Sequence, residues 1–390
     1  MAVKTNYTKN GNNYFRVTAT VGKDATGKPI RKEFYGKSKK EAEAKREEYV
    51  TSINGGLSVN YKNITLGNFM YMWLFEVLYV SDIKPSTFDR YEGLYRNYIK
   101  KSELNSMVVS EVRSMHVQRY YNNLYDSGKT PPTIKGINKV LRYFFNYALK
   151  EDMIVKNPCV GIVIPGKAHE KESKPIMPFT DEEIKRIEAA IGSHFKMIFL
   201  LALGTGLRAG ELLALTIADI DLQTSKLTVN KNIKTIKDIK KDGSYTYKDI
   251  IQIPKTKSGI REVPIPSRLL LDLRKHITAQ KEKHLANGLP FNNDSPLFTT
   301  DSCRYINGAN MRKSFERTLK RADVQYRNFH NVRHTYATKL FEAGVELKTV
   351  SALLGHSNIG ITANTYIHVM PKQKTNAAEK LNYLYNFDSF

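Results

Sequence analysis

Two arginines, a pair of lysines, two histidines and a tyrosine in the second half of the chain are the residue types that phosphoryl transfer requires. Arg208 is set among leucines in Leu200-Leu201-Ala202-Leu203-Gly204-Thr205-Gly206-Leu207-Arg208-Ala209-Gly210-Glu211-Leu212. Lys255 and Lys257 stand in Ile253-Pro254-Lys255-Thr256-Lys257-Ser258-Gly259-Ile260-Arg261. His330 and Arg333 are three residues apart, His356 follows Gly355, and Tyr366 closes the series. A guanidinium fork can hold two non-bridging phosphate oxygens at once and neutralise charge that grows in the transition state. A phenol can act as covalent nucleophile, splitting one hard displacement into two easier ones. Lysine or histidine can protonate a departing oxygen, and histidine can accept the phenolic proton. This inventory requires no metal, and no carboxylate cluster for two ions is visible in the sequence. Taken singly, each residue has an ordinary reading: a salt bridge for Arg208, solvated loop lysines, a satisfied structural histidine at His356, an interior phenol at Tyr366.

The elements around these residues must position them. The glycines at 204, 206 and 210 bend the backbone between two helices, placing Arg208 at the turn with Glu211 one helical turn later. An arginine amid so many leucines has to be paired or functional, because a lone buried charge is very costly. The segments 251–254 and 260–265 read as two short strands around a Lys-Thr-Lys-Ser-Gly tip, hence a hairpin. His330 and Arg333 share one face if their segment is helical, and so aim at one small volume. The helix through Val350–Leu354 should end at Gly355, leaving His356 on the turn; His334 is read as a structural residue. Thr180 or Asp181 can cap a helix that turns Ile184, Ile187 and Ile191 inward.

Behind this region lie two further blocks. In the first, alternating residues 14–21 and 30–35 predict a hairpin or small sheet, and Ser38 with Glu41 predicts a capped helix to about Thr51. The second is helical: Leu66, Phe69, Met70, Trp73 and Val77 recur on one face, and Tyr91, Leu94, Tyr95 and Tyr98 on another. Pro85 marks a helix start, and helices follow near Val117–Tyr125 and Thr133–Glu151, the last carrying Lys135, Lys139, Arg142 and Lys150. The polar, proline-bracketed stretch Ile164–Pro175 reads as an extended linker.

The chain's 390 residues carry a net charge of +23, which makes nucleic acid the default partner. Its 41% hydrophobic and 25% charged residues fit a globular protein. No apolar run approaches the roughly 20 residues of a membrane span, and the beginning has no secretory signal pattern, so a cytoplasmic protein without a membrane partner is expected. Its two cysteines, Cys159 and Cys303, form no ligand-spaced cluster, so neither a disulfide framework nor structural zinc is expected.

Arg208, Lys255, His330, Arg333, His356 and Tyr366, in this order and spacing, resemble the tyrosine recombinase family, whose pattern is Arg, a β-hairpin Lys, His-x-x-Arg, a Leu-Gly-His turn and a late Tyr. Lys257 can also fill the hairpin role; Lys255 is preferred because the family's lysine usually precedes threonine. The resemblance implies a multidomain, mainly α architecture with small β elements. Residues 1–60 would be a basic β-β-α arm-type DNA-binding domain, 64–165 a helical core-binding domain and 166–177 a linker. Residues 178–390 would be an α+β catalytic domain ending in a tail helix near Asn376–Phe387. The layout is similar to integrases of conjugative transposons and temperate phages. It implies strand exchange of a mobile element in a bacterial cell, at the nucleoid, on double-stranded DNA with core-type and arm-type sites. Tyr366 would form a 3′-phosphotyrosyl link while Arg208 and Arg333 hold the phosphate. Lys255 would protonate the leaving oxygen, His330 would assist at the phenol, and His356 would hydrogen-bond a phosphate oxygen. The resemblance implies no cofactor, neither metal nor ATP. The tail would join a homotetramer on DNA, and an excision factor and a DNA-bending protein are conceivable further partners. Competing readings are a type IB topoisomerase-like relaxing enzyme, against which the arm-like first block argues, and a DNA-binding regulator without activity.

Overall fold

A computed structural model describes residues 7–9, 12–23, 29–54, 63–166, 177–254 and 257–366. The linker stretch 167–176, Lys255 and the tail segment 376–387 fall outside the described residues. The chain divides into two compact units, Met1–Ser173 and Lys174–Phe390.

In the first unit, strands β1 (Tyr7–Lys9), β2 (Asn12–Lys23) and β3 (Pro29–Gly36) form an antiparallel sheet in the order β1-β2-β3, followed by helix α1 (Lys39–Asn54). This is one strand more than the expected β-β-α unit, because Tyr7 pairs with Tyr14 ahead of the alternating stretch. The cap of α1 forms as its sequence predicts. Ser38 Oγ accepts the Glu41 N–H at 3.1 Å, and the Glu41 carboxylate accepts the Lys37 N–H at 2.8 Å. Phe34 and Ala42 are buried between helix and sheet.

The helical part holds α2 (Leu66–Met72), α3 (Pro85–Leu94), α4 (Ser114–Asp126) and α5 (Pro131–Lys150). Helices α2 and α3 each run on into a π-helical turn, at Trp73–Leu78 and Tyr95–Ile99. Trp73 and Phe69 meet Phe144 of α5 edge-on, with ring centroids 5.6 and 5.5 Å apart, and this aromatic group anchors the bundle. Along α5, Ile134, Ile137, Val140, Leu141, Phe144 and Phe145 are buried at helical spacing. Lys135, Lys139, Arg142 and Lys150 stay exposed on the opposite side, a ready-made basic face. Among the described residues no helix is long and apolar enough to cross a membrane.

The second unit opens with α6 (Asp181–Ala190), whose capping box is closed by Thr180 and Glu183, then α7 (Ser193–Thr205) and α8 (Ala209–Leu213). Strands β4 (Ile220–Asp221), β5 (Lys226–Val229), β6 (Asn232–Ile239), β7 (Tyr245–Gln252) and β8 (Arg261–Pro264) follow. Helices α9 (Ser267–Ala286), α10 (Gly308–Arg321), α11 (His330–Glu342), α12 (Leu347–Leu354) and α13 (Ile359–Tyr366) complete the described part. A main core that includes Phe199, Leu212, Val263, Phe315, Phe329 and Val332 is joined by a smaller one of Ala337, Phe341, Val350, Leu354 and Tyr366.

The strands flanking the lysine tip do not pair with each other, contrary to the hairpin expected. β7 pairs with β6, from Asn232↔Gln252 to Ile239↔Tyr245, whereas β8 pairs with β5 in the sheet β4-β5-β8. The physical reason lies upstream: residues 226–239 supply both strands with partners, Leu227 opposite Val263 and Ile233 opposite Ile251. The segment between β7 and β8 therefore connects two different ladders.

Candidate active site

The site is built on three turns. At the first, the α7–α8 turn, Gly206 adopts φ 63°, and a Cβ there would stand 2.3 Å from the Tyr336 ring, so only glycine fits on both counts. Arg208 precedes α8, and Glu211 folds back on it, accepting the Arg208 N–H at 3.0 Å and Nη1 at 2.7 Å. The same carboxylate accepts Arg261 Nη2 at 2.9 Å and Nη1 at 3.4 Å. Burial alone would raise the Glu211 carboxyl, but the hydrogen bonds and charge of Arg261 and the charge of Arg208 outweigh it and hold it below the usual range.

The second turn is the carboxyl end of α12. Here three successive carbonyls each receive a guanidinium: Arg261 Nε donates to Leu353 O at 2.7 Å, Arg333 Nη2 to Leu354 O at 2.6 Å, and Arg208 Nη2 to Gly355 O at 3.5 Å. Helix ends leave such carbonyls without partners and carry partial negative charge, so cations belong there. Gly355, at φ 64°, lets the lysine loop come close: a Cβ would stand 2.8 Å from Ser258 O and 2.8 Å from Arg261 Nη1. Arg333, 2% exposed, also donates to Gly206 O at 2.9 Å, so one side chain ties the first turn to the second. Its pKa is pushed down to about 9, by burial first and then by Arg208.

The third turn is the imidazole group between α11 and α13. Arg333 can only donate, so His356 Nε2, 3.0 Å from its Nη2, must be an unprotonated acceptor. His356 Nδ1 then carries the hydrogen and donates to Thr362 Oγ1 at 2.7 Å. Its pKa is lowered to about 4 by burial, then by Arg333, Arg208 and Arg261, which agrees with a neutral ring. His330, the first residue of α11, has its pKa lowered by the protein packed around it, then by Arg333 and Arg208. His334, one turn along α11, meets the His330 ring edge-on at 4.7 Å and has Nδ1 2.7 Å from the Tyr366 hydroxyl. Tyr366 is 2% exposed, and its phenol is pushed up to about 12, chiefly by burial.

Arg208, Arg333 and His356 are thus brought together, and His330 and Tyr366 flank them through His334. His334, read from the sequence as a structural residue, is the imidazole in contact with the phenol, four residues after His330 on the same helical face. Without DNA, both ring nitrogens of His356 are engaged, by Arg333 and Thr362. Arg261 escaped the sequence reading, since a charged residue after a loop ordinarily faces water; its side chain is 7% exposed. Thr362, buried in α13, was also missed, because an uncharged helical threonine carries no sign of its partner.

A model of the phage integrase family matches residues 170–373, and one of the family's N-terminal SAM-like domain matches residues 65–125. A XerC-like tyrosine recombinase of Caldanaerobacter subterraneus subsp. tengcongensis is 55% identical over 99% of this chain and 100% of its own length. The chain belongs to the phage integrase family. It is accordingly a tyrosine site-specific recombinase, and the topoisomerase and regulator readings are not favoured. The ICEBs1 integrase of Bacillus subtilis is 26% identical over 95% of this chain and 97% of its own. Among solved structures, the integrase of transposon Tn1549 in complex with transposon right end DNA shares the fold, with TM-score 0.63 and 22% identity over 80% of this chain and 99% of that one. A lambda integrase tetramer bound to a Holliday junction matches with TM-score 0.56 and 18% identity over 88% and 90% of the two chains.

Proposed function

We propose that this recombinase cuts and rejoins double-stranded DNA of a mobile element through Tyr366, with Arg208 and Arg333 holding the scissile phosphate. The observation that carries this reading is the gathering of three guanidiniums around the end of α12, with a single carboxylate, that of Glu211, in contact with them among the described residues. Such a site is short of negative charge until a phosphate enters.

In the reaction, the Tyr366 oxygen bonds to phosphorus and the bond to the 5′ oxygen breaks. The phenolic proton passes to an imidazole, and His334 already touches the hydroxyl, with His330 behind it. Lys255 gives the departing 5′ oxygen its proton, with Lys257 the alternative. The phosphotyrosine keeps the energy of the broken bond, so a 5′ hydroxyl of the partner strand can reverse the step without ATP. Because the phenol is buried, docking of DNA has to turn α13 outward before attack. The exposed basic face of α5 suits the phosphate backbone of a core site, and the N-terminal sheet suits a separate arm site. The boundaries 1–60, 64–165, 166–177 and 178–390 remain our assignment for these roles, as does a homotetramer joined through the tail.

A suicide substrate nicked near the cleavage position tests the reading. The parent protein should accumulate a covalent protein–DNA adduct, and Tyr366→Phe should bind the same DNA and form none. An adduct that survives this substitution refutes the assignment of the nucleophile, and absence of adduct from the parent favours a regulator.

A further inference from the structure

We infer that Arg261 is a positioning residue for protonation of the leaving oxygen: it clamps the loop that carries the lysines onto the carboxylate that also orients Arg208. The inference rests on the lysine acid proposed above. A hairpin would fix its own tip through the ladder below it, but here the loop joins strands of two different ladders, and something else must set its place. Arg261 does so with all three of its nitrogens. Nη1 donates to Gly259 O at 3.3 Å inside the loop, Nε donates to Leu353 O at the end of α12, and Nη1 and Nη2 grip Glu211. The loop backbone at Ser258 lies so close to Gly355 that a single added carbon would collide with it, so the clamp acts over a tight contact. Its side chain is 7% exposed, against 39% for Arg208, and Nε, Nη1 and Nη2 are each bonded within the protein, so Arg261 faces the protein rather than solvent.

The role predicts a specific chemical rescue. A 5′ sulfur in place of the scissile 5′ oxygen leaves as a thiolate and needs no proton, so any variant whose fault is a misplaced acid should recover on it. Arg208 acts on charge at the phosphate itself, and its loss should not be rescued. The full chain would be assayed on nicked duplexes carrying its own attachment site, identified from the junctions of its gene's flanking DNA, with oxygen or sulfur at the linkage. Arg261→Ala and Arg261→Lys should cleave the oxygen linkage about 100-fold slower than the parent and the sulfur linkage within about threefold of it. Arg261→Lys keeps the charge and carries the test if Arg261→Ala does not fold. Arg261 variants that are slow on both linkages, or normal on oxygen, overturn the inference. Lys255→Ala and Lys257→Ala are the controls. Should neither recover on sulfur, the lysine acid itself is refuted; should one recover while the Arg261 variants do not, only the positioning role falls.

Discussion

Replacing Glu211 by glutamine removes the carboxylate from the arginine cradle while keeping its shape, and the cost can be worked from the contacts. Glu211 holds Arg208 Nη1 at 2.7 Å and Arg261 Nη2 at 2.9 Å. Removing one partner of a buried ion pair costs about 3–5 kcal/mol, because the remaining charge is left without compensation. The Arg208 side chain is 39% exposed, so water screens its share, whereas Arg261 at 7% is barely screened. The lower end, about 3 kcal/mol, is therefore expected, which for a unit of this size lowers Tm by about 6–12 °C. Calorimetry of the full chain should show the catalytic unit's transition moving by that amount. The single tryptophan, Trp73, lies in the other unit, so its fluorescence transition should stay in place and serve as internal control. Added sulfate, compared with chloride at equal ionic strength, should return more stability to Glu211→Gln than to the parent. An oxyanion at about 100 times its Kd supplies about 2.7 kcal/mol. A variant that melts within about 2 °C of the parent, with no excess response to sulfate, refutes the view that Glu211 compensates the cradle.

Acid should weaken the catalytic unit through its histidines. The folded state holds His356 near pKa 4 against an ordinary 6.5, so the unfolded chain binds the proton first. The resulting stability is complete above pH 6.5 and is lost as pH falls toward 4, with His330 and His276, also lowered, adding the same sign. Urea unfolding at about pH 7.5 and 5 should show the loss, and His356→Gln should reduce it; equal pH dependence in both proteins contradicts the assignment. Gly206→Ala should cost about 1–2 kcal/mol for the left-handed backbone alone, and more from the Tyr336 ring. Thermal melting of Gly206→Ala with and without Tyr336→Ala separates the two, and relief in the double variant is expected. Thr362→Val leaves the His356 Nδ1 hydrogen without its acceptor, a loss of about 1–3 kcal/mol, while Thr362→Ser should behave as the parent in the same melts.

Local signals were the legible ones. Ser38 with Glu41, Pro85, Thr180 as a cap, and Gly355 after Leu354 each act within one helical turn, and each structural outcome follows from its neighbours in sequence. Strand pairing was not legible at the lysine loop, because β5 meets β8 across a gap that β6 and β7 occupy, and an apolar strand does not specify which partner it takes. The side chains that connect the site were hidden for a related reason. Arg261 reaches Leu353 from 92 positions away, and Arg333 reaches Gly206 from 127, so neither bond leaves a local trace. Tyr366 had two readings, interior phenol and nucleophile, and its buried position fits the first while leaving the second to a moved state.

The arginine cradle is made by the same bonds that hold the unit together, and this gives its members different freedom toward DNA. Arg333 Nη2 has both hydrogens engaged, by Leu354 O and His356 Nε2, and Nη1 is tied to Gly206 O. A phosphate oxygen can take an Nη2 hydrogen only by displacing one of those acceptors, and His356 is the one whose loss does not open a main-chain turn. The imidazole so released keeps its Nδ1 hydrogen on Thr362 and regains a basic Nε2 beside a new anion, which raises its affinity for a proton. Arg208 is more open, and its longest bond is 3.5 Å. On the proposed reading, Arg208 can therefore take a phosphate oxygen with its other bonds in place, whereas a phosphate reaching Nη2 of Arg333 requires His356 to give way.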